Sequence, residues 1–544
     1  MFYRSHVLVC TGSNCNIKGC QGITEALRRE LTRLSLEQEV RLVETGCLGL
    51  CEHGPALVVY PEGVMYVRLT AADVAEVAEE HLLKGRLVPR LLQPTATVDS
   101  GYSLNMSPFF SKQKRIVLKN CGLINPDSIE DYVHADGYIA LATTLDTKTP
   151  TDVIDVIKKS GLRGRGGAGF PAGRKWEFTR WATGSPKYLI CNADEGEPGT
   201  FKDRLILEGD PHLILEGMII AAYAIGATKG IIYIRGEYDL SIRRMEHAIA
   251  EARKLGLLGQ NILGSELEFD VEVCAGAGAY VCGEETALIE SIEGNRGEPR
   301  FKPPYPAQQG LWGKPTCVNN VETLANIPAI LQHGAEWYQQ IGTANSPGTK
   351  VFTLTGNIIN SGLIEVPMGI TLREVIYEIG GGIPEGRSFK MAQTGGTSGG
   401  CLAEEHLDIP MDYDSLAGHG SSLGSGALLV MDDSHCIIDL TKCFLKFFVH
   451  ESCGQCTPCR EGTPALYSII DKLSRGLATE SDMRLLERLS RTMQSSSLCA
   501  LGQTAPVPVL SALVHFKEEV EAHFKGDCPT CKCHTAKGGK QSAN

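Results

Sequence analysis

The sequence contains no uninterrupted apolar run near the ~18 residues that a helix needs to cross a bilayer. Its opening, Met1-Phe-Tyr-Arg-Ser-His-Val-Leu-Val-Cys10, turns polar too soon for an export signal and predicts a first β-strand instead. These absences predict a cytoplasmic protein with no direct membrane insertion. H-E-x-x-H is missing, and no Ser-His-Asp pattern is visible, so two common hydrolytic signatures are excluded. Scattered histidines such as His419 and His450 read as structural. Positive charge is in deficit. With 52 Lys and Arg against 64 Asp and Glu, the net charge of −12 excludes a non-specific nucleic-acid binder. No internal repeat is apparent.

Cysteine is abundant. Twenty of them, in tight ligand-like groups on a 544-residue chain, predict metal binding in a reducing compartment rather than a disulfide framework. The segment Glu451-Ser-Cys453-Gly-Gln-Cys456-Thr-Pro-Cys459 places three thiolates at cubane-cluster spacing, and Cys499 supplies a remote fourth. A zinc knot is the alternative, although zinc sites usually use two separate C-x-x-C knuckles. Cys10, Cys15, Cys47 and Cys51 form a second set. Each pair follows a predicted strand, so two loops at one end of a sheet are expected to hold a [2Fe–2S] cluster. Zinc or a redox dithiol is the alternative there, and Cys20 reads as spare.

The stretch Ser160-Gly-Leu-Arg-Gly164-Arg-Gly166-Gly-Ala-Gly169-Phe-Pro contains a literal G-x-G-x-x-G. A dinucleotide fingerprint should follow a strand, whereas Thr151 to Lys159 has the periodicity of a capped helix. The physical content still holds. Glycines let backbone N–H groups approach phosphate or a flat ring, and Arg163, Arg165, Arg174 and Lys175 add positive charge. The alternative is an ordinary glycine-rich turn. Two acidic segments follow, Cys191-Asn192-Ala-Asp194-Glu195-Gly-Glu197 and Tyr280-Val-Cys-Gly283-Glu284-Glu285. Their carboxylates suit ribose, ribityl or amide contacts; for Glu284 and Glu285 the alternative is a pair of first-turn acids on a helix dipole. Arg300-Phe-Lys302-Pro-Pro-Tyr305 and Val318-Asn319-Asn320-Val-Glu-Thr323 are further motif-like turns, each equally readable as a surface connection.

Taken in order, these motifs resemble the NADH-binding flavoprotein subunit of complex I, and still more the diaphorase subunit of soluble NAD-linked [FeFe]-hydrogenases. The resemblance runs from about residue 160 to residue 500. It implies an α/β multidomain chain: a thioredoxin-like [2Fe–2S] domain (1–90), a linker (91–135) and a Rossmann-like FMN/NAD(H) domain (136–345). A β-grasp domain (346–435), a helical [4Fe–4S] bundle (436–525) and a cysteine-containing tail (526–544) follow. By motif match, Gly164, Arg165, Gly166, Lys175, Asn192, Asp194, Glu195, Gly283, Glu284, Asn319, Asn320 and Thr323 are expected to hold FMN. Phe170, Phe178, Glu197, Tyr280, Glu285, Lys302 and Tyr305 are expected to line the nicotinamide nucleotide site.

Many fused relatives continue into further cluster domains, but this sequence ends soon after Cys528-Pro-Thr-Cys531-Lys-Cys533. His523, Cys528 and Cys533, joined by the distant Cys436, make a candidate zinc site, with the choice between Cys531 and Cys533 open. The alternative is a loose tail.

The expected function is an NAD(P)H diaphorase that passes electrons between nicotinamide, FMN and iron–sulfur clusters in a hetero-oligomer. The expected partners are a hydrogenase-type iron–sulfur subunit and a small [2Fe–2S] subunit, with ferredoxin as an option. Formate dehydrogenase, aromatic-ring reductase and transhydrogenase assemblies are alternatives, as is a non-enzymatic electron-wiring scaffold. NAD versus NADP, electron bifurcation and oligomeric state stay open at this level.

Overall fold

A computed structural model describes residues 3–93 and 107–533. The chain begins with a small mixed sheet of β1 (Ser5–Cys10), β2 (Val40–Thr45), β3 (Leu57–Tyr60) and β4 (Val64–Tyr66), in the order β2-β1-β3-β4. The helix Cys20–Arg33 buries Ile23, Leu27 and Leu31, one helical face, against it. β1 and β2 pair in parallel from Ser5↔Val40 to Cys10↔Thr45, so their C-terminal ends lie level. That register brings the loops bearing Cys15 and Cys47 to one end of the sheet. The sequence predicts an amphipathic helix over 71–83, and the structure has an α-helical turn, Val74–Glu76, running into a π-helical stretch, Val77–Leu83.

Four parallel strands form the second sheet: β5 (Tyr188–Ala193), β6 (Lys229–Arg235), β7 (Asp270–Gly276) and β8 (Thr316–Asn320), in the order β7-β6-β5-β8. The apolar runs at Leu189–Cys191 and Ile231–Ile234 are buried, as expected for parallel strands covered on both faces. The chain order reverses between β5 and β8, which makes the ends of those strands a topological switch point. The helix Pro150–Ser160 precedes the glycine-rich loop, as its periodicity predicts. It starts with a Thr149–Asp152 capping box and stops at Gly161, whose φ of 71° suits glycine.

A two-residue ladder, β9 (Gly342–Thr343) with β10 (Ser346–Pro347), leads into the third sheet. Its strands are β11 (Thr349–Gly356), β12 (Gly362–Pro367), β13 (Phe389–Thr394), β14 (Cys401–Leu402) and β15 (Ala427–Asp432), ordered β12-β11-β15-β13-β14. Part of the expected linker is tied to this sheet. The backbone N–H groups of Ile116, Val117 and Leu118 donate to the Glu365 carboxylate at 2.9, 3.1 and 2.8 Å. The linker residues around Pro94 and Gly101 lie outside the described residues.

Helices Ile437–Glu451, Thr457–Ser474, Glu480–Ser496, Val507–His515 and Lys517–Phe524 complete the chain. The sequence predicts one helix over 507–521, but the backbone breaks at Phe516 (φ −126°, ψ 37°). Residues 528–533 are described, whereas the rest of the expected tail, 534–544, lies outside the described residues. Among the described residues no helix is long and apolar enough to cross a membrane.

Candidate functional site

The first cysteine set converges. Cys10, Cys15, Cys47 and Cys51 line one pocket together with Gly12, Leu48, Ala56 and Leu205. Cys47 Sγ lies 3.6 Å from Cys51 Sγ, and the Gly49 N–H points at Cys47 Sγ from 3.3 Å. Thiols this close cannot all ionise alone. A hydrogen bond to Cys10 and burial push the Cys15 thiol far up, while its neighbours hold Cys10 low. A metal cluster resolves that conflict. Cys20 is fully buried in the first turn of its helix and does not line the pocket. The second set converges as well: Cys453, Cys456, Cys459 and Cys499 surround a pocket closed by Val281, Pro299, Leu498 and Leu501. Ser452 Oγ sits 3.2 Å from Cys459 Sγ, and Arg296 donates to the Cys453 carbonyl at 2.7 Å.

Between these pockets lies the C-terminal end of the parallel sheet. The turn Tyr280–Gly283 joins one pocket to that end, because Val281 lines the cube pocket while the Gly283 carbonyl accepts from Asn192 Nδ2 at 2.9 Å. The helix Lys202–Gly209 joins the other. Its first N–H groups, of Asp203 and Arg204, donate to Glu195 at 2.9 and 3.1 Å. Leu205 of that helix lines the [2Fe–2S]-type pocket, and Glu208 accepts from the Ser13 N–H at 2.9 Å.

This end of the sheet has the marks of a flavin cradle. Asp194 is buried, yet among the described residues neither carboxylate oxygen has a partner, and burial pushes the carboxyl up to about 7. An orphaned acid of this kind calls for a polar ligand. A Cβ on Gly166 would stand 3.0 Å from Asn320 Cβ, so the loop approaches the strand as closely as glycine permits. Lys175 Nζ reaches Glu285 at 3.0 Å, and Lys302 Nζ reaches Glu284 and Glu285 at 2.7 and 3.1 Å. Against the cost of burial, those lysines hold the Glu285 carboxyl low. Phe170, Phe178 and Tyr305 are exposed.

Several of the expected side chains also make contacts within the chain. The Arg165 guanidinium is fully buried and donates to the carbonyls of Arg163, Pro347 and Thr349 and to Tyr338 Oη. Its charge is therefore spent on loop packing, and its N–H goes to Thr323 Oγ1 at 2.8 Å. Asn319 Oδ1 accepts from Trp176 Nε1 at 2.8 Å, inside the core. Glu195 caps the helix Lys202–Gly209. Glu284 caps the helix Glu285–Ile292 through the Thr286 and Ala287 N–H groups at 2.8 and 3.0 Å, the helix-dipole role.

Sequence reasoning missed a buried ionic cluster beside the glycine loop. Glu322 Oε2 meets Lys350 Nζ at 2.6 Å and Lys202 Nζ at 3.0 Å, and Lys202 also meets Asp203 at 2.6 Å. Glu322, Lys202 and Lys350 are fully buried. Burial draws the Lys350 ammonium down to about 8. Glu322 sits within the noted Val318–Thr323 motif, but Lys350 comes from β11 and carries no local signal.

The third metal-ligand group is Cys436, His523, Cys528 and Cys533, whose ligand atoms lie within 4.8 Å of one another. Cys436 Sγ is 3.3 Å from His523 Nε2 and 3.6 Å from Cys533 Sγ. His523 Nδ1 lies 2.8 Å from the Glu519 carbonyl, which leaves Nε2 facing the thiolates. A hydrogen bond from Cys533 takes the Cys436 thiol down to about 3. Cys531 is exposed and apart from the group.

The arrangement defines an iron–sulfur flavoprotein oxidoreductase: a flavin cradle flanked by two cysteine-lined cluster pockets. Family comparison agrees segment by segment. Residues 3–81 match the thioredoxin-like [2Fe-2S] ferredoxin family, 157–329 the Nuo51 FMN-binding domain, 351–402 the SLBB domain and 439–523 the NADH-ubiquinone oxidoreductase-F iron-sulfur binding region. The chain is 56% identical over 423 residues to the NADP-reducing hydrogenase subunit HndC of Solidesulfovibrio fructosivorans, covering 78% of this chain and 86% of that one. It is 48% identical over 410 residues to an F-type subunit of NADH-quinone oxidoreductase from Rhizobium meliloti, covering 75% and 97%. An NAD+-reducing [NiFe]-hydrogenase in the H2-reduced state superposes with a TM-score of 0.67 at 32% identity, over 96% of this chain and 85% of that one. The chain belongs to the family of flavin-binding NAD(P)H-oxidising subunits shared by NADH-quinone oxidoreductases and NAD(P)-linked hydrogenases, and its activity is of the diaphorase type.

Proposed function

We propose that this chain is the nicotinamide-oxidising arm of a soluble, cytoplasmic NAD(P)-linked hydrogenase, wiring a nicotinamide nucleotide to a hydrogenase-type iron–sulfur subunit and a small [2Fe–2S] subunit. One observation carries the reading: the turn Tyr280–Gly283 is shared by the flavin cradle and the cube pocket, so a single short turn links them. FMN, when bound, supplies hydride acceptance and release of single electrons. The protein binds and orients. Gly164, Gly166, Asn192, Asp194, Gly283, Asn320 and Thr323 form the cradle. Arg165, Glu195, Glu284 and Asn319 shape it from behind, through the contacts described above. Phe170, Phe178, Glu197, Tyr280, Glu285, Lys302 and Tyr305 receive the nicotinamide nucleotide, with Lys175 bracing Glu285.

The units carrying these tasks are 1–90, 136–345, 346–435 and 436–525, joined by 91–135 and followed by 526–544. Cys10, Cys15, Cys47 and Cys51 hold the [2Fe–2S] cluster. Cys453, Cys456, Cys459 and Cys499 hold the [4Fe–4S] cluster.

Anaerobically purified chain reconstituted with FMN is expected to reduce viologen dye with NADH or NADPH, and to co-purify with a hydrogenase large subunit. Absence of dye reduction with flavin bound would defeat the diaphorase reading. Dye reduction by a chain that never co-purifies with a hydrogenase subunit would redirect the assignment to another assembly.

We also assign zinc to Cys436, His523, Cys528 and Cys533, a three-thiolate, one-imidazole set. Cys528→Ser is expected to lower zinc from about one ion per chain to near zero, while Cys531→Ser retains it. Metal analysis of the two variants decides this. Equal zinc in both would contradict the ligand set.

A further inference from the structure

The nicotinamide side of the site is held in place from the third sheet. Glu197 is only 9% exposed, and its carboxylate has four donors. Tyr280 Oη donates at 2.6 Å, the Ser398 N–H and Ser398 Oγ each at 3.2 Å, and Thr397 Oγ1 makes a short fourth bond. Three of these four come from the turn Thr394-Gly-Gly-Thr-Ser-Gly-Gly400 after β13, outside the parallel-sheet unit. The glycines are required for that approach. Gly396 has φ 91°, and a Cβ there would lie 2.1 Å from Glu197 Cγ. Two further bonds clamp the same segment. Thr353 Oγ1 donates to the Gly199 carbonyl at 2.6 Å, and Thr200 Oγ1 shares a 2.7 Å bond with Ser425 Oγ.

We propose that Thr397 and Ser398 are positioning residues for nicotinamide nucleotide binding, through which the third-sheet unit fixes the direction of the Glu197 carboxylate. The proposal rests on the reading that Glu197 lines the nucleotide site. A carboxylate held by four donors keeps one rotamer. Stripped of two hydroxyl donors, it is free to rotate and is left underpaired in a desolvated place. Neither hydroxyl belongs to the flavin cradle, so the effect falls on nucleotide affinity rather than on flavin retention. It also makes the nucleotide site a composite of two domains, so that a shift of one against the other alters affinity.

The test uses the full-length, FMN-loaded chain with Thr397→Val, Ser398→Ala and the double variant. FMN content, the dissociation constant of NAD+ by equilibrium dialysis, and KM and kcat for NADH with viologen are measured. The double variant is expected to raise both the dissociation constant and KM about 10-fold or more, with kcat within about threefold of wild type. FMN content stays unchanged. Thr397→Ser is expected to restore most of the affinity. Unchanged dissociation constant and KM in the double variant overturn the proposal, as does loss of FMN in step with any loss of affinity. A wild-type chain that retains FMN but binds no NAD+ overturns the underlying reading of the Glu197 site, and the proposal falls with it.

Discussion

Cys459→Ser is expected to strip about four iron atoms per chain and reduce electron delivery to the partner subunit to background. NADH oxidation by ferricyanide, which does not need the cube, should survive. Cys459 is 5% exposed in the first turn of the helix Thr457–Ser474, with Ser452 Oγ 3.2 Å from its sulfur. Among the described residues the only other cysteines lining that pocket are Cys453, Cys456 and Cys499, so no spare thiolate stands ready to replace it. The site lies between helices and beside Val281, hence its loss also loosens the packing against the turn Tyr280–Gly283. Iron analysis together with paired ferricyanide and partner-linked assays measures the split. Equal loss of both activities would mean that the cube supports the fold more than the electron path.

The second large effect is predicted for Glu322→Leu. Removing this carboxylate leaves Lys202 and Lys350 buried side by side with Asp203 as the remaining anion in contact. Breaking a buried charge set by deleting one partner costs about 3–5 kcal/mol. For a domain of this size the melting temperature falls by roughly 10 °C. The pH dependence has a definite sign. Burial depresses Lys350 to about 8 from an ordinary value of 10.5, so the folded chain sheds that proton before the unfolded chain does, and stability rises with pH across that interval. Without Glu322 the lysine neutralises still earlier. The loss is therefore largest near pH 7 and shrinks toward pH 9, and differential scanning calorimetry at the two values measures it. A pH-independent loss would indicate simple cavity formation instead.

Much of the arrangement is legible in the sequence, for identifiable reasons. Cluster ligands are short-range features. C-x-x-C-x-x-C and the paired loops at Cys10 and Cys47 announce themselves because thiolates must crowd one metal core. The parallel sheet shows as apolar runs that leave in polar turns, as at Cys191-Asn192 and Val318-Asn319. Side-chain direction is less legible. Arg165, Asn319, Glu195 and Glu284 lie inside the right motifs, yet their polar groups turn to backbone carbonyls, an indole and helix caps. A motif places a residue near a site, whereas only the packing decides which way it faces. Some partners of Glu197 and Glu322 come from residues 397, 398 and 350, in the turn after β13 and in β11, and no periodicity links such distant positions. The choice of Cys533 over Cys531 likewise depends on how the tail docks beside Cys436.

Electron flow through this chain requires a flavin seated between two different iron–sulfur clusters. Electron paramagnetic resonance of the anaerobic chain, reduced by NADH with and without FMN, tests that most directly. Two distinct reduced-cluster signals are expected, both dependent on FMN, one abolished by Cys459→Ser and the other by Cys47→Ser. Signals of equal strength without FMN, or a chain carrying zinc in both cysteine pockets and giving no signal at all, would contradict it.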